Sequence, residues 1–330
     1  MKVLKTLMLM CFCAVAAEVS AQGVVTLTFD DASKTQFEKA FPLMEKYNLT
    51  GTLYVSTGGV DTATKEEGGW SMTWSNVREM RFAGWDIGSH TVTHPFLTKL
   101  AYEDLVYELE ESKAKIVEEV GMVPVSFASP FGDYNDDVLE QVIARYHSHA
   151  NAWGPQKGIN KLDDFSLNGI HRINIDSRQS SEDVCGRILQ AAMKDQWLVL
   201  LFHGLSDDEP DEYQIATQEF EKILQCIDYL KRNGSIEVRT IADVTYEKIY
   251  PKGAVAREEG ERCGLNQTAL FLPNRVRLFN GDILCVEKEW SAYFLDTKTG
   301  LHKSCQSNNS IVAVTQLWEK RGYACVQELQ

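Results

Sequence analysis

Val24–Phe29 is an unbroken apolar and β-branched run, and from there to about Val244 such runs alternate with stretches whose apolar residues recur at helical spacing. A short run without polar alternation predicts a strand covered on both faces. Thr35–Tyr47 carries Phe37, Phe41 and Met44 along one helical stripe, and Thr52–Val55 reads as a strand. Thr73 is a candidate cap for a helix from Trp74 to about Ala83, which Gly84 stops, and Trp85–Gly88 follows as a short strand. The same reading predicts helices over Tyr102–Val120 (ended by Gly121), Asp136–Arg145, Ser181–Gln196 and Thr217–Lys231. Between and after them it predicts strands at Val125–Ala128, Ile170–Ile175, Trp197–Phe202 and near Ile236–Val238. Alternation over roughly 220 residues predicts a parallel α/β sheet or barrel.

The pattern changes after Tyr250-Pro251-Lys252-Gly253. Short runs at Ala269–Leu272, Arg275–Phe279 and Ser291–Leu295 are broken by Asn-Gly and Lys-Thr-Gly turns, which predicts a small β-rich domain over 251–330. At the other end, Lys2 and Lys5 precede a mostly apolar Thr6–Ala17, followed by Val19-Ser20-Ala21. This reads as a signal peptide over 1–21, too short to span a bilayer, with cleavage after Ala21. The expected protein is therefore exported, periplasmic or extracellular, with its first domain over 22–250 and no membrane span after cleavage.

Export changes the reading of the cysteines. Cys263, Cys285, Cys305 and Cys325 contain no C-x-x-C pair, so two disulfides are expected among them, with three pairings open. Cys185 and Cys226 lie in helix-like stretches and read as two small buried hydrophobes. The chain has 33 basic and 47 acidic residues, a net charge of −14, which repels phosphate backbones and excludes nucleic acid as the expected partner.

Four polar clusters each follow a predicted strand: Asp30-Asp31, Ser89-His90-Thr91-Val92-Thr93-His94, Ser129-Pro130-Phe131-Gly132 and His203-Gly204. In parallel α/β proteins the C-terminal strand ends converge on one mouth, where ligands bind. His90 and His94, four apart, would point the same way from one helical turn. Two imidazoles and one carboxylate form a common catalytic metal set, and an adjoining carboxylate remains free as a base. Adjacent aspartates cannot both enter one site from an ideal strand, so the chain must turn at Phe29–Asp31.

Thr28-Phe29-Asp30-Asp31, the His90–His94 motif, Ser129–Gly132 and Leu201-Phe202-His203-Gly204 resemble, in order and spacing, the motifs of the polysaccharide deacetylases, carbohydrate esterase family four. The resemblance runs from about Gly23 to Val244. It implies a distorted, incomplete (β/α) barrel, with Asp31, His90 and His94 holding a divalent metal, zinc first and cobalt or nickel as alternatives. It further implies Asp30 as general base, His203 as the acid that protonates the leaving amine, and Pro130, Phe131 and Gly132 at the substrate, with a backbone N–H near Phe131 aiding the oxyanion. Two motif positions differ. Ala128 stands where the family carries an arginine that orients the base, and Arg172 is the expected replacement. The family's Asp-Trp pair, whose Asp partners the catalytic histidine, is represented by Asp176 without the Trp.

Other features carry two readings. Trp153 could stack on a sugar or pack a loop; Trp70 and Trp74 read as core or helix-start anchors. His147 and His149 read as surface or satisfied histidines, and Asp207–Glu212 as a solvated loop that at a rim would attract an amine-bearing glycan. The small domain is either a carbohydrate-binding module or a cap.

The resulting expectation is an exported N-deacetylase of an N-acetylglucosamine-containing glycan. Peptidoglycan comes first, then chitin oligosaccharides or a β-1,6-linked polymer. The alternatives are an O-acetyl esterase on xylan, a non-catalytic glycan-binding protein, and a metal amidase for small molecules. Oligomeric state is left open.

Overall fold

The computed structural model describes residues 23–66, 69–151 and 158–249, with strands at 270–272, 275–277, 283–286, 292–295 and 302–305. In chain order the first region contains β1 Val24–Phe29, α1 Phe41–Lys46, β2 Thr52–Val55, α2 Thr57–Lys65, α3 Trp74–Phe82, β3 Asp86–Ser89, α4 Tyr102–Val120, β4 Ser126–Ala128, α5 Asp136–Ile143 and β5 Ser148–Asn151. It continues with β6 Ile159–Lys161, β7 Ile170–His171, β8 Ile173–Asn174, α6 Ser181–Ala192, β9 Gln196–Phe202, β10 Gly204–Ser206, β11 Gln214–Ala216, α7 Thr217–Arg232, β12 Glu237–Val238 and α8 Ile241–Ile249.

Strands pair parallel in the order β9-β1-β2-β3-β4-β5-β7. The other side of β9 is shared, with β6 antiparallel along its first half and β8 parallel along its second. Since β7 and β8 are consecutive, the chain at 170–174 leaves β5 and reaches β9. The sheet thus nearly closes into a distorted (β/α) barrel, the form that the resemblance implies. The single strand expected at Ile170–Ile175 is broken at Arg172, because its two halves serve different partners.

Period-two alternation sorts β1 between two cores. Val25, Leu27 and Phe29 face outward, in a cluster that includes Val184, Ile188, Phe220 and Ile223 of the flanking helices. Thr26 and Thr28 belong to the barrel side, where Trp197 Nε1 donates to Thr26 Oγ1 at 2.8 Å. β9 repeats the pattern, with Leu198, Leu200 and Phe202 outward and Trp197 and Val199 inward. Continuing the count past each strand sends Asp30 and His203 toward the barrel mouth. A Cβ at Gly88 would lie 2.5 Å from the Tyr54 ring, so this glycine gives the tyrosine its place inside β2 and β3.

Helix ends follow their caps. Thr73 and Asn76 form a reciprocal capping box on α3, and Asn135 and Ser180 cap α5 and α6. Gly121 closes α4 in the left-handed conformation. The stretch predicted as a helix over Thr35–Tyr47 begins as a π-helical segment at Gln36–Ala40 before α1. α2 and α8 went unpredicted: α2 opens with Thr57-Gly58-Gly59, a poor start by propensity, and is held by packing of Val60 and Ala63.

Cys185 and Cys226 are not separate buried thiols. They form a disulfide between α6 and α7, with Cα atoms 6.1 Å apart. Helix propensity gave no sign that these two faces meet.

Further along the chain, β13 Leu270–Leu272, β14 Arg275–Arg277, β15 Ile283–Val286, β16 Ala292–Leu295 and β17 His302–Cys305 form an antiparallel succession. The expected signal peptide, Trp153 and the pairing of the last four cysteines lie outside the described residues. Among the described residues no helix is long and apolar enough to cross a membrane.

Candidate active site

All four polar clusters lie at the same end of the barrel. Asp30 N–H donates to Phe202 O at 3.0 Å and His90 N–H to Val55 O at 2.9 Å, continuing the ladders by one residue. Arg172 N–H donates to Asn151 O at 2.8 Å, placing the β7–β8 break at this level too. Gln36 ties two of these ends together, its Nε2 donating to the carbonyls of Asp30 and His203.

The turn expected after Phe29 is present: Asp31 and Ala32 have φ of 74° and 57°, and the reversal brings Asp31 beside Asp30. His90 and His94 converge differently from the expected helical turn. They bracket a loop in which Thr91 and His94 take φ of 70° and 60°. This strain is held by buried Glu108 of α4, whose carboxylate accepts from Val92 N–H (2.7 Å), Thr93 N–H (2.9 Å) and the Thr93 hydroxyl. Thr91 Oγ1 accepts from His94 N–H at 3.0 Å.

Asp31, His90 and His94 each bring one ligand atom to within 4.8 Å of the others. Asp31 Oδ1 lies 3.2 Å from His90 Nε2 and 3.1 Å from His94 Nε2. Neither contact has hydrogen-bond direction, so Oδ1 is a buried acceptor without a hydrogen-bond partner among the described residues. His90 Nδ1 lies 2.7 Å from Ala128 O, so Nδ1–H donates to that carbonyl and Nε2 is the nitrogen turned toward Asp31. A buried carboxylate oxygen without a hydrogen-bond partner, held beside two imidazole nitrogens, fits a cation, and an N,N,O set with solvent access fits zinc. Glu108→Ala is therefore expected to weaken divalent-metal binding by about 10–100-fold. Competition against a chromogenic chelator reads this directly, and unchanged affinity would remove Glu108 from the metal loop's support.

Asp30 is buried and paired in fork geometry: Arg172 Nη1 to Oδ1 at 2.6 Å and Nη2 to Oδ2 at 2.9 Å. The same guanidinium reaches Thr28 Oγ1 at 3.3 Å and lies 5.0 Å from the Tyr54 ring centroid, so it is fixed from below as well. Burial alone raises the Asp30 pKa, but Arg172 first, then His90 and His203, outweigh it and hold the carboxyl below the usual range. Burial also opposes ionisation of Asp31, and the adjoining His90 and His94 hold it well down. Asp30 is thus an ionised, oriented carboxylate 3.8 Å from His90 Nε2.

His203 lines the same cleft, but Asp176 does not pair with it. The fully buried Asp176 instead accepts from Arg178 Nε at 2.8 Å, Arg178 Nη2, Arg178 N–H at 3.0 Å and Asn174 Nδ2 at 2.6 Å. Its lone pairs are spent on a neighbour two residues on, and His203 Nδ1 is buried without a hydrogen-bond partner among the described residues.

The cleft measures about 540 Å³ and carries Phe131, Gly132, Trp70 and Tyr213 on its walls. Phe131, at φ 58°, stacks on Phe96 (centroids 4.1 Å apart) and meets the His94 ring at 4.5 Å. Pro130 is buried beneath this turn. Trp74 is a core anchor as expected, whereas Trp70 is 56% exposed in the cleft. Lys34 N–H donates to Trp70 O and Met72 N–H to Ala32 O, both at 2.9 Å, which pulls residues 70–72 to the Asp31 turn. Tyr213 also went unpredicted; an aromatic next to the acidic run was its sole sequence signal. His149 is fully buried and satisfied, between Ser129 Oγ at 2.9 Å and Asn168 O at 3.2 Å, and burial pushes its pKa down to about 4.

Fold and site together define a (β/α)-barrel protein with a cation-ready Asp-His-His set beside an oriented carboxylate. Residues 18–147 match the polysaccharide deacetylase family model. The match holds Asp30, Asp31, His90, His94 and the 129–132 turn, while Arg172, Asp176 and His203 lie beyond it. A putative polysaccharide deacetylase of Bacillus subtilis is 26% identical over 123 residues, 36% of this chain and 41% of that protein. A poly-β-1,6-N-acetyl-D-glucosamine N-deacetylase of Staphylococcus aureus is 26% identical over 134 residues, 35% of this chain and 42% of that protein. The chain spans less than half the length of these curated relatives. Among solved structures, the carbohydrate esterase domain of a xylanase from the hindgut metagenome of Trinervitermes trinervoides gives a TM-score of 0.47 at 18% identity, covering 68% of this chain and 91% of that one.

Proposed function

We propose that the chain is an exported, zinc-dependent N-deacetylase of a glycan containing N-acetylglucosamine, with peptidoglycan the leading substrate and chitin oligosaccharides or a β-1,6-linked polymer behind it. Residues 22–250 form its catalytic domain. The observation that carries this is the open Asp31-His90-His94 set next to the Arg172-oriented Asp30. The Met1–Ala21 segment and the Cys185–Cys226 disulfide support export.

Asp31, His90 and His94 would hold the cation, which supplies Lewis acidity toward water and the acyl oxygen. Asp30, kept ionised and aimed by Arg172, takes the proton of the attacking water. As the carbonyl carbon becomes tetrahedral, backbone N–H at the Phe131 turn supports the growing negative charge. His203 gives its proton to the amide nitrogen as the C–N bond breaks, releasing acetate and a free amine. The unpartnered His203 Nδ1 favours one second reading, O-acetyl ester cleavage as on xylan, because an alcohol leaves with less protonation than an amine.

Acetate release from purified peptidoglycan, chitin oligosaccharides, the β-1,6-linked polymer and acetylated xylan tests both readings. Release from an N-acetylated glycan that stops on chelation and returns with zinc is the expected result. Xylan alone as substrate would establish the second reading. Glycan binding with zinc loaded and no acetate from any of them would mean a binding protein.

A further inference from the structure

The Asp176–Arg178 pair has no part in the steps above, yet Arg178 lines the same cleft as Asp30 and the two histidines. The arrangement is a pinned fork. Asp176 is buried to 0% exposure, while the Arg178 side chain is 66% exposed. Asp176 takes the side edge of the guanidinium, Nε–H and one N–H of Nη2. It is fixed in turn by Asn174 Nδ2 and Arg178 N–H, so the anchor has little freedom of its own. A guanidinium has five N–H donors, and the end edge formed by Nη1 and Nη2 is the one suited to a second carboxylate. Among the described residues no carboxylate other than Asp176 lies within 4.0 Å of Arg178.

We propose that Arg178 is an anion subsite of this cleft, taking a single carboxylate on the glycan through the free end of its guanidinium. The geometry restricts the ligand class. Asp211 and Glu212 stand on the same cleft wall, and the chain as a whole carries −14. Those charges repel a polyanion such as a phosphate polymer or a polyuronic chain. What fits is an otherwise neutral N-acetylated sugar with one carboxylate, the kind borne by a lactyl ether of N-acetylglucosamine. This deepens the deacetylase reading by separating a carboxylated glycan from neutral chitin and β-1,6-linked polymer, and it rests on that reading only for the bond that is cut.

The test compares binding of N-acetylmuramic acid-containing disaccharide with that of its methyl ester, by calorimetric titration of the full-length protein. The two differ by one charge at one position. Wild-type protein should prefer the free acid by about tenfold or more, the range for a charge-assisted bidentate contact. In Arg178→Gln the ratio of the two affinities should fall to about one, with folding checked by its thermal transition. Arg178→Lys should restore part of the ratio, and raising the salt should shrink the wild-type preference without any mutation. No preference in the wild type, or a preference that survives in Arg178→Gln, overturns the proposal. Should the acid be preferred through Arg178 while no acetate is released from any glycan, the anion subsite stands and the deacetylase reading falls.

Discussion

Asp30→Asn is expected to lower acetate release by about 10²–10⁴-fold, the contribution of a positioned proton acceptor. The substitution is close to isosteric. Its amide oxygen still accepts one N–H from Arg172, while its NH₂ faces the other and takes up no proton. The loss should fall on kcat, because the aromatic walls of the cleft, Trp70, Phe131 and Tyr213, are untouched. Asp31, His90 and His94 are likewise unchanged, so zinc stoichiometry should match the wild type. That pairing is diagnostic: turnover lost with metal retained assigns the proton transfer to Asp30. Turnover within about tenfold of wild type would place the base elsewhere.

Much of this site was legible because it sits where strands end. Val24–Phe29 and Trp197–Phe202 are dense enough in apolar residues to be recognised as strands, and a polar residue immediately after either must lie at the barrel mouth. Arg172 was legible for a different reason: the resemblance implies a base-orienting arginine where Ala128 stands, and Arg172 was the expected replacement. That its strand breaks at Arg172 was not legible, since Ile170, Ile173 and Ile175 read as one run whether they serve one neighbour or two. Trp70 and Tyr213 belong to loops without periodicity, so their place in the cleft depends on backbone bonds such as Lys34 N–H to Trp70 O. The Asp176–Arg178 pair defeats sequence reasoning most fully. A carboxylate expected to meet His203 is claimed by a side chain two residues away, and only the local turn decides that contest.

Arg172→Ala is expected to damage stability and turnover together, by separable routes. Removing one partner of a buried ion pair leaves the other charged and desolvated, a cost of about 3–5 kcal/mol. The sign of its pH dependence follows from Asp30. A folded-state pKa held below the usual carboxylate range stabilises the native state above the unfolded pKa, and that contribution is lost as pH falls through the folded value. The stability gap between wild type and Arg172→Ala, read by denaturant titration, should therefore be full near neutrality and narrow on acidification. Catalysis reports the same change differently. Without the guanidinium, the first contribution that offsets burial is gone and the Asp30 pKa rises. Less of the base is then ionised at a given pH, and the acid limb of kcat/KM should move to higher pH with a large fall in kcat. Arg172→Lys should recover part of the stability but little of the rate, since one ammonium cannot make the two parallel bonds to Oδ1 and Oδ2. Near-normal turnover with an unmoved acid limb would show that Asp30 is oriented by some other group.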